Sequence, residues 1–169
     1  MVYVTMEGKV LDLTRLTTEE RTHLEKCLQA YRAGVAWAAF MSLVRTPENP
    51  LLRATGGRIT DAVWEHPLFQ ALRDMEDRLG IKQGHLQAPP GADPDREPLA
   101  DEWVPAVEAA ERKGVTLPGL HKAIARGDVI ARPIKPGGTR LEVNVASLDA
   151  WQVNRVRQAV TKRPPRKGL

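Results

Sequence analysis

One cysteine in 169 residues, Cys27, excludes an internal disulfide framework and any multi-cysteine zinc site. Nothing in the composition therefore points to an oxidising compartment, and a cytoplasmic protein is the expectation. Long apolar runs are also missing. The first ten residues, MVYVTMEGKV, lack the apolar stretch of a signal peptide, and the most apolar segment, Val35 to Val44, is too short to cross a bilayer. No membrane partner is implied. No repeat at a period of about 20 to 50 residues is visible.

Phosphate loops and catalytic constellations are absent as well. Gly56-Gly57-Arg58 and Gly137-Gly138 lack the frames that wrap nucleotide phosphates. His23 and Cys27, four apart on a helix, make only two of the ligands a metal needs, and a buried cysteine beside a surface histidine is the expectation. His66 and His85 have no nucleophile or acid at a recognisable catalytic spacing. In Arg73-Asp74-Met75-Glu76-Asp77-Arg78 the carboxylates pair with cations, and Asp74 with Arg78 reads as an i,i+4 pair on an exposed helix face. The sequence thus calls for no enzyme, no metal and no cofactor.

What is present is an uneven charge. Residues 1–100 carry 12 Lys/Arg against 14 Asp/Glu, whereas 101–169 carry 13 against 7, so the net charge of +4 comes from the second half. A polyanion, if one is bound, meets the C-terminal part. Between the halves, QAPPGADPDREPLA at 87–100 holds four prolines and few apolar side chains, which reads as an interdomain linker and the first place a protease should cut.

The division that follows is an α-rich domain at 1–86, a Pro-rich linker at 87–100, a second domain at 101–161 and a basic tail at 162–169. In the first domain, VYVTMEGKVLDLTRL reads as a hairpin around Glu7-Gly8. Thr17 and Glu20 form a capping-box pattern before a helix to about Arg32 that turns Leu24, Cys27, Leu28 and Tyr31 inward. Val35 to Val44 is apolar nearly all round and is expected at the buried centre. A short helix near Ile59 to Trp64 and a longer one from Pro67 to Leu79, ended by Gly80, complete the domain.

The second domain is more heavily punctuated. Pro105 opens a short helix with Val107 and Ala110 inward, Gly114 supplies a positive φ, Val115 plugs the elbow and Thr116 caps the next helix. That is a helix-turn-helix pattern. On the second helix Leu117, Leu120 and Ile124 share one face. Pro118, Gly119, Lys122, Ala125 and Arg126, with His121 at the edge, are then left outside, where Lys122 and Arg126 offer donors to phosphates or guanine edges. Two β-prone runs, Val129 to Ile134 and Arg140 to Val145, flank Lys135-Pro136-Gly137-Gly138-Thr139 as a wing. Ser147 is expected to cap a last helix returning Leu148 and Trp151 to the core.

Glu108-Ala109-Ala110, Gly114-Val115, Ile124 to Ile130 and Ser147-Leu148-Asp149-Ala150-Trp151 together give Val104 to Trp151 a pattern that resembles the excisionase/MerR-like winged helix-turn-helix family. His121 stands where that family often has an aromatic, and Ala125 where it often has a basic residue. The resemblance implies double-stranded DNA as partner, with the second helix in the major groove and the wing on the adjacent backbone or minor groove.

The fold expected is mainly α with small β-hairpins: an N-terminal α-rich domain plus a C-terminal winged helix-turn-helix. The function expected is sequence-specific DNA binding, as a transcription regulator or recombination accessory factor. The DNA-facing set is Thr116, Pro118, Gly119, His121, Lys122, Arg126, Arg132, Lys135 and Arg140. Residues 1–86 would then supply homodimer or partner contacts. An adaptor that docks its winged module on another protein is the alternative.

Overall fold

A computed structural model describes residues 1–153; residues 154–169, with Arg155, Arg157, the end of the second domain and the basic tail 162–169, lie outside the described residues. The chain is mainly α-helical with two small antiparallel sheets. The N-terminal hairpin forms as its sequence suggests: β1 (Val2–Val4) pairs with β2 (Val10–Asp12), and Gly8 turns the chain at φ 87°. The capping box is also present, Thr17 accepting from the Glu20 backbone and Glu20 reaching back to the Thr17 N–H, and it starts α1 (Thr18–Arg32).

The buried centre is not where hydrophobicity alone places it. α2 (Trp37–Arg45) buries Phe40 and Val44 but leaves Ala38, Ala39 and Ser42 in solvent, so small side chains make up its outer face. Instead α5 (Pro67–Lys82) is central, burying Leu68, Phe69, Leu72, Met75 and Leu79 between α1 and α2. Gly80 does not end this helix. It lies inside it, where the missing Cβ lets Leu86 and Trp37 close onto the backbone; an added Cβ would sit 2.7 Å from Leu86 Cδ1. Between α2 and α5 the chain forms α3 (Pro50–Ala54) and α4 (Asp61–Glu65), and Asn49, buried and capping α3, turns Pro50 from a breaker into a first-turn residue.

The Asp74–Arg78 pair exists, but it is buried, not exposed. Arg78 is 0% and Asp74 6% accessible, with Nε 2.6 Å from Oδ2. Asp74 also accepts from the Tyr3 hydroxyl at 2.7 Å and the Met6 N–H at 2.9 Å. Burial, reinforced by the Asp74 carboxylate, drives the Tyr3 phenol far above its ordinary range. Arg78 donates onward to the carbonyls of Val4, Pro94 and Arg96.

Those last two acceptors belong to the segment 87–100, which the sequence marks as an interdomain linker. Val4 donates to Pro98, Asp93 to Met6 and Ala100 to Val2, so the segment lies along the hairpin as a strap, with Leu99 packed on the first core. Its prolines keep it from being a helix or central strand, while its carbonyls remain free to accept. Two hydrophobic cores nevertheless fall on either side of it.

His23 is buried as well, its Nε2 3.6 Å from Cys27 Sγ, so the expectation of a surface histidine does not hold. Among the described residues no third acid, histidine or cysteine completes a metal site. Burial, the leading influence, lowers the His23 pKa and pushes the Cys27 thiol up to about 12. A histidine whose folded pKa lies below its unfolded value takes up a proton more readily when unfolded. Its share of stability is thus complete above about pH 6.5 and declines as pH falls toward the folded pKa. His23→Phe is expected to flatten that part of the urea-midpoint profile below pH 6.5; an unchanged slope would contradict this.

The second unit has a three-stranded sheet in the order β3 (Trp103–Pro105), β5 (Leu141–Asn144), β4 (Ala131–Pro133), packed against α6 (Ala106–Lys113), α7 (Leu117–Arg126) and α8 (Val145–Ala150). β3, absent from the sequence reading, ends at Pro105, which also caps α6 rather than sitting within it. Val107 points out at 57% exposure, and Ala106, Ala109 and Ala110 form the inner face instead. The last helix is capped by Asn144; Ser147 is inside it and buried, accepting from the Ile130 N–H and tying α8 to the start of the β4 hairpin.

Candidate nucleic-acid interface

The elbow before α7 is set by two residues of specific backbone chemistry. Gly114 occupies the left-handed region at φ 69°, which ends α6 without the strain a Cβ would bring, and Thr116 accepts from the Gly119 N–H to start α7. Pro118 lies in the first turn, where its missing N–H costs nothing. Gly127, at φ 79°, ends the helix.

Burial fixes the orientation of α7. Leu120 and Ala123 are fully buried, and Leu117 and Ile124 pack half-buried on the same core. Ala123 joins the inner face that the sequence assigned to leucine and isoleucine. Pro118, His121, Lys122, Ala125 and Arg126 are exposed, as is Thr116, whereas Gly119 is half-buried with its Cβ position 3.1 Å from Thr116 Oγ1.

The hairpin turn is equally specific. The Gly138 N–H donates to the Lys135 carbonyl, with Pro136 first and Gly137 second among the central residues at φ 72°, which meets the demands of a type II turn. Ile134 donates to Arg140 just outside it. Lys135 and Arg140 therefore flank an exposed turn that the Pro-Gly pair makes stiff.

The five cations are not equivalent. Arg126 is held by Asp128 at 2.8 Å, two residues on across the helix cap. Arg132 is bound to Glu142 across the β4–β5 ladder at 2.5 Å, and its guanidinium lies 4.1 Å from the Trp103 ring centroid. Because Ala131 packs on the core, strand alternation turns Arg132 to the opposite sheet face, where it lines a cleft with Leu13, Leu16 and Leu24 of the first unit. Lys122, Lys135 and Arg140 have no carboxylate within 4 Å among the described residues. The fold thus brings Lys122 and Arg126 onto one helix face and Lys135 and Arg140 to one turn, and sets Arg132 apart.

Asp128, Glu142 and Trp103 are the residues the sequence reading overlooked here. Asp128 was detectable in principle, since an acid just past a C-capping glycine is within reach of an arginine in the last turn. Glu142 and Trp103 act through strand register, which a single sequence does not show.

Among the described residues no helix is long and apolar enough to cross a membrane. No family model, curated protein or solved structure matches the chain.

Proposed function

We propose that the protein binds double-stranded DNA in a sequence-specific way, as a transcription regulator or recombination accessory factor, with α7 in the major groove and the β4–β5 turn as a wing on the backbone. The observation that carries this reading is the outward face of α7. Small residues there permit close approach to a groove, and Lys122, without an ion partner among the described residues, stands beside Arg126. Lys135 and Arg140 add phosphate donors on the turn. Arg132 leaves the DNA-facing set, because Glu142 and Trp103 engage it on the other sheet face.

Two substitutions separate base reading from phosphate contact. Lys122→Ala is expected to cost about 1–3 kcal/mol at one operator position and to relax specificity there, whereas Lys135→Ala is expected to weaken all sequences alike and lower the salt slope by about 1. Fluorescence anisotropy with selected and scrambled duplexes distinguishes them; identical behaviour of the two variants would remove the assigned roles.

The first unit is proposed to bring two such modules together, since paired half-sites enlarge a small single-module interface. Light scattering that finds only monomer over a wide concentration range would refute this. A protein-adaptor reading draws on Val107 and Ile134, exposed at 57% and 46% on α6 and beside the turn. It takes precedence if duplex binding is absent.

A further inference from the structure

We propose that the cleft floored by Leu13, Leu16 and Leu24 and edged by Arg21 and Arg132 binds a small amphipathic carboxylate, one anionic head on an unbranched apolar chain.

The floor follows from the local sequence. Leu13 continues β2, Leu16 precedes the Thr17 cap and Leu24 lies on the inner face of α1, and all three are buried. The cleft above them is about 390 Å³, within the range of small-molecule sites. Each methylene moved from water onto such a surface strengthens binding about fourfold.

The head is selected by charge. Two guanidiniums and no carboxylate line this cleft among the described residues, whereas Glu7, Glu65, Asp74 and Asp77 line the one beside Trp64. Asp12, next to Leu13 in the chain, is already engaged by the Thr14 N–H at 2.9 Å and the Thr14 hydroxyl at 2.5 Å. Arg21 is exposed on α1 and has no carboxylate within 4 Å among the described residues.

Arg132 is prepared for an anion in a second way. Its Nε is bound to Glu142 and its guanidinium lies over Trp103, so a strand partner and an aromatic face hold it at the cleft. Its two terminal nitrogens make no hydrogen bond among the described residues. They form the planar fork that matches a carboxylate, and a fork already held in place loses little freedom when the ligand arrives. Glu142 offsets part of its charge, and Arg21 restores the positive balance. Cationic edge and leucine floor belong to one cavity, so the ligand has to join both chemistries: a bare anion leaves the floor uncovered, and a plain hydrocarbon covers the guanidinium donors without pairing them. The proposal does not depend on the DNA reading.

The test titrates the ¹⁵N-labelled full chain with sodium octanoate, sodium decanoate and decan-1-ol. Decanoate is expected to saturate one site, shifting the amides of Leu13, Thr14, Leu16 and Leu24 and the Arg132 Nε–H. Its affinity is expected to exceed that of octanoate by about sixteenfold, for two methylenes, and that of decanol by at least about tenfold, for the charged head. Arg21→Gln and Arg132→Gln are each expected to weaken decanoate severalfold and leave decanol unchanged. Arg21→Gln removes an exposed side chain without an ion partner among the described residues, so the fold is expected to persist in that variant. Decanol bound as tightly as decanoate, octanoate bound as tightly as decanoate, shifts centred on Trp64 instead, or a decanoate affinity that both variants leave intact would each overturn the assignment.

Discussion

Asp74→Ala is expected to lower the unfolding free energy of the first unit by about 3–5 kcal/mol, the range for removing one partner of a buried ion pair. The penalty comes from what remains. Arg78, wholly inaccessible, would keep its charge with only the carbonyls of Val4, Pro94 and Arg96 to compensate it, and the Tyr3 hydroxyl and Met6 N–H would lose their acceptor. Replacing both members, as Asp74→Leu with Arg78→Met, is expected to destabilise less than Asp74→Ala alone, since no unpaired charge is then buried. Urea unfolding followed by far-UV circular dichroism measures both. Because Arg78 also fastens the strap, Arg78→Met is expected to turn residues 87–100 into the first proteolytic site. A loss within about 1 kcal/mol for Asp74→Ala would mean that the pair is solvated as an ordinary surface pair is.

The largest functional effect is expected from Lys122→Ala, Lys135→Ala and Arg140→Ala combined. These three cations have no carboxylate within 4 Å among the described residues, so their charge is available to a polyanion, whereas Arg126 and Arg132 are partly neutralised by Asp128 and Glu142. Each lost phosphate contact lowers the magnitude of the slope of log K against log salt by about 0.9. The triple variant is therefore expected to flatten the slope by about 2, through Lys135 and Arg140, and with the base contact of Lys122 also lost, to lose affinity by at least about tenfold at low salt. All three side chains are exposed, so the urea midpoint should stay in place and a folding defect cannot mimic the result.

Elements governed by local chemistry were legible in the sequence. The Thr17–Glu20 capping box, the Gly8 turn and the Gly114–Thr116 elbow each rest on a few adjacent residues whose backbone preferences leave few alternatives. Features decided by tertiary placement were not. An i,i+4 spacing brings Asp74 and Arg78 together without saying which side of α5 faces inward, and only the hairpin and the strap packed on that side turn a surface pair into a buried hub. Composition marked 87–100 as unable to form a core, but its docking depends on donors supplied by Val4 and Arg78. On α6, Val107 outranks alanine in hydrophobicity, yet the close approach of β3, β5 and α8 favours the small inner face of Ala106, Ala109 and Ala110. The α7 face was readable because Leu117, Leu120 and Ile124 leave one consistent orientation; the neutralising partners Asp128 and Glu142 came from a cap and a strand register.

The most direct measurement is the affinity of the unmodified full chain for a random-sequence duplex and for duplexes selected from that pool, determined by anisotropy across a range of salt concentrations. The expected result is binding at low salt whose logarithm falls linearly with log salt, with a slope of magnitude about 3 or more and with the selected duplexes bound at least about a thousandfold more tightly than random ones. No duplex binding at low salt, or an affinity indifferent to both salt and sequence, would contradict the DNA-binding account.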